Sequence, residues 1–512
     1  MNGAVPAFSA APSASGAPAT RAGVSGGGAA YGLLFIPFAF SWVLAVAPAV
    51  SYLVAWAGSF WILYLTIGGH IKPLPQDRSL FDQILRPIVL TQLVFVGYGF
   101  ISSIFHFLDV NGYYYLALNP FHTTTPGAVE LIAQAQRYYV LAHAGVAMGM
   151  LVAMDYRRSG EWVVRRLENP AAFLLIVSAV SFFLAQAFSG PLGQIGGRIE
   201  RLGLVASVLG LAVAVPTRRG GLLAIASWVF AVNLGAAFLS GWKEEVLVMV
   251  MLLAVFVYPY ARRTVLIGAP IALIFLLAIL PTYAKVFREL NWEGTASQEE
   301  AASVAFGVVR GGQQNLAANN WKFLTSRASE IGLFTQYISS INNGADFYGT
   351  QILEQGLESI IPRAFWRAKP ITENLVMRRV YDNGVVSRTS SVSAKPQYVV
   401  DGYLSAGPIG MFLGAFLFGW LASRASRFSE RFFGGYFWGT GLIYTSFFAI
   451  FWKANSFEFF INIVVWSFIL LIPLMWIARS TGLLVRAGQA APEARPAPAP
   501  QSMLPMRRVW GA

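Results

Sequence analysis

The chain contains no cysteine. Disulfides, c-type haem attachment and thiolate metal sites are therefore excluded. The redox compartment stays open, because a cysteine-free chain tolerates an oxidising environment without requiring one. Charge is also scarce. Only 12% of residues are Asp, Glu, Lys or Arg, about half the share found in soluble domains. Four histidines are present, and none is spaced with Asp or Glu as a metal site would be, so no metal and no other cofactor is expected. Apolar residues fill the gap: 56% of the 512 residues are hydrophobic and mean hydropathy is +0.56. Runs long enough to cross a bilayer, about 20 mostly apolar residues, recur along the sequence. The expected fold class is an all-α polytopic integral membrane protein.

Twelve apolar segments stand out, near residues 32–48, 51–68, 86–107, 138–154, 171–189, 202–216, 222–240, 245–260, 264–282, 405–423, 432–452 and 457–478. The first two abut at Ala47-Pro48-Ala49, which predicts a tight helical hairpin. With the N-terminus placed inside, thirteen Lys and Arg fall in inner loops: Lys72, Arg78, Arg157, Arg158, Arg165, Arg166, Arg218, Arg219, Arg262, Arg263, Arg424, Arg427 and Arg431. Short outer loops carry five: Arg137, Arg198, Arg201, Lys243 and Lys453. Cytoplasmic loops retain positive charge, so both termini are expected in the cytoplasm. The same bias accounts for the net charge of +13 without a nucleic-acid partner. Residues 1–30 are Ala/Ser/Gly/Pro-rich, lack the apolar core of a signal peptide, and read as a disordered tail; residues 479–512 read likewise. Residues 31–282 thus hold helices 1–9 and residues 405–478 helices 10–12.

Between them, residues 283–404 carry no spanning segment and fall outside, with twelve Lys/Arg and eleven Asp/Glu. Loops this long usually have a function. The stretch GTQILEQGLESIIP places Leu353, Leu357, Ile360 and Ile361 at helical spacing and reads as an amphipathic helix ended by Pro362. Ile331 to Ile341 predicts another short helix.

The segment IIPRAFWRAKP follows, and six basic residues lie between Arg363 and Arg388 against the acids Glu373 and Asp382. Guanidinium groups bind phosphate in bidentate fashion and lysine adds a point charge. Arg363, Arg367 and Lys369 are therefore candidate ligands for an anionic substrate, with Trp366 and Phe365 able to stack on a sugar. Contact with lipid headgroups alone would explain the same residues. Two further outer turns carry charge. In Ser240-Gly241-Trp242-Lys243-Glu244-Glu245, charges near hydrocarbon are usually functional or paired, though Glu244 and Glu245 also suit a helix start. Residues 190–201 combine glycines with Arg198 and Arg201, and glycine-rich turns are also common without function. For a general base, Glu244, Glu245, Glu330, Asp401 and His122 qualify; His70, His106 and His143 give no pattern.

The order LSGWKEE, TSRASEIGLFTQYI, GTQILEQGLESIIPRAFWRAKP and DGYLSAGPIGMFLGAFLFGW resembles the Wzy-type O-antigen and exopolysaccharide polymerases, which join oligosaccharide repeat units. Lys243 matches a basic residue after a Ser-Gly turn, and Ser326-Arg327 the opening of the large outer loop. Ile361 through Pro370 match an Ile-Pro-Arg-x-x-Trp-x-x-Lys-Pro element, and Gly407 with Gly410 match a Gly-x-x-Gly helix start loosely. The resemblance covers roughly residues 222–425. Trp242 and Glu244-Glu245 stand where small residues are expected, and no pair of Arg-x10-Gly motifs is found.

The resemblance implies about twelve transmembrane helices, with a large helical periplasmic loop between helices 9 and 10, in the bacterial inner membrane. It implies metal-independent transfer of a glycan from undecaprenyl pyrophosphate to an incoming lipid-linked repeat unit. A membrane protein that regulates chain length is the implied partner. Arg363 and Lys369 would hold the phosphates, Arg327, Arg367, Arg198 and Lys243 would assist, and Trp366 would face sugar. Glu330 or Asp401 would serve as base. An O-antigen ligase uses the same donor and shares the plan. A transporter or flippase would be expected to show two similar halves, whereas the large loop divides these helices nine and three. A metal-dependent polyprenyl-phosphate-sugar transferase would be expected to carry an acidic pair in the first outer loop, and none is there.

Overall fold

The structure, a computed structural model, describes residues 28–115, 117–118, 127–156, 160–188, 190–239, 243–291, 296–311, 316–388, 394–453 and 455–488. Among them, eight helices are long and apolar enough to cross a membrane: Pro48–Ile67, Pro87–Val110, Pro170–Ala187, Gly193–Thr217, Gly220–Leu239, Arg262–Asn291, Tyr398–Phe432 and Phe457–Ser480. The pair Gly28–Leu34 and Ile36–Val46, bent by 46°, makes a ninth if counted as one span. Three of the twelve expected segments fall outside this set for separate reasons. The helix Ala128–Ala153 is long but diluted by Gln134, Gln136, Arg137 and His143. Lys243–Val257 has only 15 residues. The 432–452 stretch breaks into the π-helix Tyr436–Tyr444 and the short pieces Thr445–Phe447 and Ile450–Lys453. The expected tails lie largely outside the described residues; 484–486 pair antiparallel with Trp162–Val164.

Proline opens three of the spans, at Pro48, Pro87 and Pro170, where its missing N–H costs nothing. Asn169 caps the third by accepting from the Ala172 amide at 3.1 Å. The expected hairpin at Ala47-Pro48 forms, with Pro37 seated against Gly58 and Ser51 Oγ donating to the Ser41 carbonyl at 2.6 Å.

Ala128–Ala153 is the central helix, buried along most of its length. Its polar side chains are bonded inward: Arg137 Nη1 donates to Ser51 Oγ at 2.8 Å, and His143 Nδ1 lies 2.6 Å from Ser59 Oγ. Its small residues set its closest contact. A Cβ on Gly149 would stand 2.1 Å from the Phe416 carbonyl, and one on Gly419 2.1 Å from that of Val146. Between helices in lipid, such close backbone approach replaces the missing hydrophobic drive.

The long helix Tyr398–Phe432 is two helices. Gly407, at φ +62 and ψ −150, breaks it beside Ala406. Residues 398–405 fold back along the second part, so that the Tyr398 ring stacks on Phe418 at 3.8 Å. Residues 283–404 form the end of Arg262–Asn291 and five further helices: Gln298–Gly311, Leu316–Ser326, Ile331–Asn342, Gln351–Ile360 and Thr372–Asp382. Gln298–Gly311 packs with Tyr283 and Phe287 as a small separate core, whereas Ile331, Phe334, Tyr337 and Ile338 join the main core.

Gly149→Leu should lower stability by about 3 kcal/mol or more, since overpacking here meets backbone on the facing helix. Gly235→Leu, where nothing lies within 4 Å, should leave the melting temperature in detergent unchanged. Equal melting temperatures for both variants would contradict the close crossing.

Candidate functional site

Arg379 lies on the buried side of Thr372–Asp382 beside Val376 and Val380, and is 2% exposed. Its Nη2 donates to Asp401 Oδ1 at 3.1 Å and to Glu458 Oε2 at 3.0 Å, while Nη1 donates to Gln355 Oε1 at 2.9 Å and also to Glu458. Asp401 and Glu458 are 1% and 0% exposed. The second oxygen of Asp401 accepts from the Phe457 amide at 2.8 Å, the first N–H of Phe457–Ser480, where the helix dipole favours an anion. Burial acts to strip Arg379 of its proton, but the two carboxylates outweigh it and hold its proton affinity above the ordinary range. One guanidinium thus ties together Gln351–Ile360, Thr372–Asp382, residues 398–405 and the last span.

Glu330, between Leu316–Ser326 and Ile331–Asn342, meets this network. Desolvation pushes its carboxyl up to about 7, against the Tyr98 hydroxyl and the Gln397 amide; the charge of Asp401 adds to the rise. Near it stand Tyr98 and Tyr139, with Tyr337 close to both Asp401 and Glu330 and Tyr398 beside Tyr139. The hydroxyls of all four tyrosines are buried and have no hydrogen-bond partner among the described residues. Tyr98 Oη faces Glu330 without the geometry of a full hydrogen bond. Buried hydroxyls are usually paired, so these four, three of them within reach of the Glu330 carboxyl, are donors and acceptors ready for water or for a polyhydroxylated ligand. Tyr337 is pushed up by burial and by the nearby carboxylates, so it stays protonated. This arrangement can accept a proton near neutral pH and orient hydroxyl groups.

The two residues expected as bases are therefore neighbours, and their surroundings differ. Both oxygens of Asp401 are engaged by Arg379 and the Phe457 amide. Glu330 is half-buried, and its carboxyl is met by the Tyr98 hydroxyl and the Gln397 amide. The basic residues are dispersed. Arg363 and Arg367 are exposed on the turn after Pro362, and Trp366 is half-buried between them. Lys369 is buried, its Nζ donating to the carbonyls of Ser359 at 2.6 Å and Ile361 at 2.7 Å; burial, helped by Arg363, lowers its proton affinity. Arg327 is exposed and lies near Arg288. Arg198 is half-buried beside Arg201, which pairs with Glu245 at 2.9 Å. Gln194 Nε2 reaches the Ser359 carbonyl at 3.4 Å and so joins the glycine-rich turn to the Pro362 segment. The Lys243 side chain, residues 240–242 and His122 lie outside the described residues.

Sequence reasoning placed Arg379 in a basic cluster without singling it out, and passed over Glu458 and the tyrosines. A signal was present: Glu458 opens an apolar span, and carboxylates there are seldom without a partner. The tyrosines gave none, because they are brought together from four separate elements.

Arg379→Ala should destabilise the protein by about 3–5 kcal/mol by leaving two buried carboxylates without their cation. Adding Asp401→Leu and Glu458→Leu should recover a large part of that loss in melting temperature. Glu330 binds its proton more tightly in the folded chain than in the unfolded one. Its contribution is full at low pH and is lost as pH rises from the ordinary 4.5 to about 7. Melting curves between pH 5 and 8 should show this slope, and Glu330→Gln should flatten it. An unchanged slope in the variant would contradict the assignment.

No curated protein and no solved structure matches the chain. A family model described as a domain of unknown function, DUF8712, matches residues 36–486. That match spans the second member of the bent pair, the central helix, the Arg379 network and the strand at 484–486, and the chain belongs to this family.

Proposed function

We propose that the chain is an integral inner-membrane enzyme that polymerises undecaprenyl-pyrophosphate-linked oligosaccharide repeat units, for O-antigen or exopolysaccharide, on the periplasmic face. The observation that carries this reading is Glu330, with a carboxyl near neutrality, set beside Asp401 and the buried hydroxyls of Tyr98, Tyr139 and Tyr337. A general base works best with a proton affinity near the operating pH, and sugar hydroxyls are suitable partners for the tyrosines.

In the proposed step, Glu330 takes the proton of the acceptor hydroxyl at the non-reducing end of an incoming lipid-linked unit. The acceptor oxygen bonds to the anomeric carbon of the growing glycan as its bond to the pyrophosphate oxygen breaks. The departing undecaprenyl pyrophosphate carries away the electron pair, and exposed cations stabilise its new charge. Arg363 and Arg367 are the outward guanidiniums for that role, with Trp366 facing sugar and Arg327, Arg198 and Lys243 contributing to the basic outer face. Lys369 acts instead through the backbone, holding the turn by its bonds to Ser359 and Ile361. Asp401 supports Glu330 by its charge. No metal or cofactor enters the step. A chain-length-regulating membrane protein is the proposed partner.

The same proposal places twelve crossings in the bilayer, counting the bent first pair, Ala128–Ala153, Lys243–Val257 and the interrupted 436–453 stretch. The end bearing Arg86, Arg424, Arg427, Arg431, Arg479 and Arg486 would be cytoplasmic, as would both termini.

The test is a gel profile of lipid-linked glycans from a deletion strain complemented with wild-type, Glu330→Gln or Arg363→Ala genes. Single repeat units should accumulate in the deletion strain, and wild type alone should restore long chains. Unligated long chains would instead point to a ligase. Repeats trapped on the cytoplasmic leaflet would point to a flippase.

A further inference from the structure

Gln351–Ile360 has three sides. Ile352, Gly356 and Ser359 are buried against Phe457–Ser480, where a Cβ on Gly356 would meet Ile461 and Phe457. Glu354 and Glu358 make a polar side. The third side is apolar and uncovered: Leu353, Leu357 and, past the helix end, Ile361 are each more than 40% exposed. The turn that follows carries Phe365, 83% exposed, between Arg363 and Arg367.

Hydrogen bonds fix the level of this turn along the last span. Asn462 Nδ2 donates to the Ser359 carbonyl at 2.6 Å, and Trp466 Nε1 donates to that of Ile360 at 2.8 Å. Trp466 stands nine residues, about 14 Å of helix rise, beyond the start of its helix. Asn462 is the last strongly polar side chain before the apolar stretch 463–477, in which Ser467 is bonded to the Phe447 carbonyl at 2.7 Å. Further along, Ile469, Ile472, Trp476 and Ile477 are exposed on the same helix. The turn therefore sits where an apolar span begins, and it has an uncovered apolar side at that level.

We propose that the 361–368 turn is a membrane wedge. Phe365, Ile361, Leu357 and Leu353 enter the outer-leaflet acyl boundary, and Arg363 and Arg367 engage the phosphates of the lipid headgroups above it. An exposed aromatic flanked by two arginines suits that boundary, where apolar side chains meet hydrocarbon and guanidiniums reach back to the headgroups. This rests on the membrane-spanning reading of Phe457–Ser480 and on the proposed topology; it gives Arg363 and Arg367 lipid phosphates as ligands in addition to the leaving pyrophosphate, and its test reads lipid exposure rather than activity.

The absence of cysteine makes the test direct, because any introduced thiol is the only label site. Full-length Phe365→Cys, Leu357→Cys, Ile472→Cys and Arg388→Cys proteins are labelled with an environment-sensitive fluorophore and reconstituted in vesicles. Quenching by brominated lipids and by aqueous iodide is then measured. Labels at Phe365→Cys and Leu357→Cys should be quenched several-fold more by shallow-brominated lipid than the exposed Arg388→Cys reference, and shielded from iodide. Adding Arg363→Ser and Arg367→Ser should weaken the lipid quenching in anionic vesicles. If Phe365→Cys and Leu357→Cys behave like Arg388→Cys while Ile472→Cys is lipid-quenched, the wedge is wrong and the span stands. If Ile472→Cys also escapes the lipid quencher, the spanning reading falls and the wedge falls with it.

Discussion

A single buried guanidinium ties four separate segments of this protein together. Arg379 is fixed between Asp401 and Glu458, and through Gln355 it reaches the helix that carries the Pro362 turn. Taking three charges out of water is costly, and the geometry offsets that cost: bidentate contact with Glu458, and an amide at a helix start for the second Asp401 oxygen. The arrangement also has a consequence for its neighbour. Asp401, kept in place by Arg379, adds its field to the burial of Glu330, and the Glu330 proton is held to near-neutral pH. The structural pin and the candidate base are parts of one electrostatic arrangement.

A second buried guanidinium pins the C-terminal end of the helix that follows the Gly407 break. Arg86, fully buried, makes paired bonds to Asp77 at 2.7 Å and to Glu430 at 2.7 and 3.3 Å, with its guanidinium 4.2 Å from the Tyr156 ring. Between residues 408 and 430 the helix rises about 33 Å, close to the hydrocarbon thickness of a bilayer. Its middle has neither charge pair and relies on Gly145, Gly149 and Gly419 meeting backbone across the crossing. The Arg86 cluster at its end and the close crossing along its length make this helix a stiff support for the segments packed on it.

The spans were legible because bilayer-crossing helices write long apolar runs into the sequence, and Pro48, Pro87 and Pro170 mark their starts. Ala128–Ala153 was recognised from residue 138 onward and not from 128, since Glu130, Gln134 and Gln136 hide its first turns while tertiary contacts bury most of them. The kink at Gly407 was visible only as a loose glycine motif. The fold-back of residues 398–405 depends on Tyr398 meeting Phe418, a contact between distant positions. Within the site, Glu330 and Asp401 could be named as carboxylates in an outer loop, but a sequence does not say which one is already engaged. Lys369 shows the limit of motif reasoning: as a cation beside Arg363 it suggests a phosphate ligand, yet its ammonium donates to two carbonyls at the end of a helix.

Under the proposed function, Glu330 would supply the base of a membrane polymerase, the neighbouring tyrosine hydroxyls its sugar contacts, and the exposed Arg363 and Arg367 the cations for the leaving group. Reconstitution tests it most directly. Purified protein in vesicles is given undecaprenyl-pyrophosphate-linked repeat units in the presence of a metal chelator, and the products are resolved by mass spectrometry as a function of pH. The account predicts a ladder of integral multiples of the repeat unit with matching release of undecaprenyl pyrophosphate, its rate rising through about pH 7 and lost with Glu330→Gln. A folded, reconstituted protein that yields no ladder at any pH, or a ladder undiminished by Glu330→Gln, would contradict it.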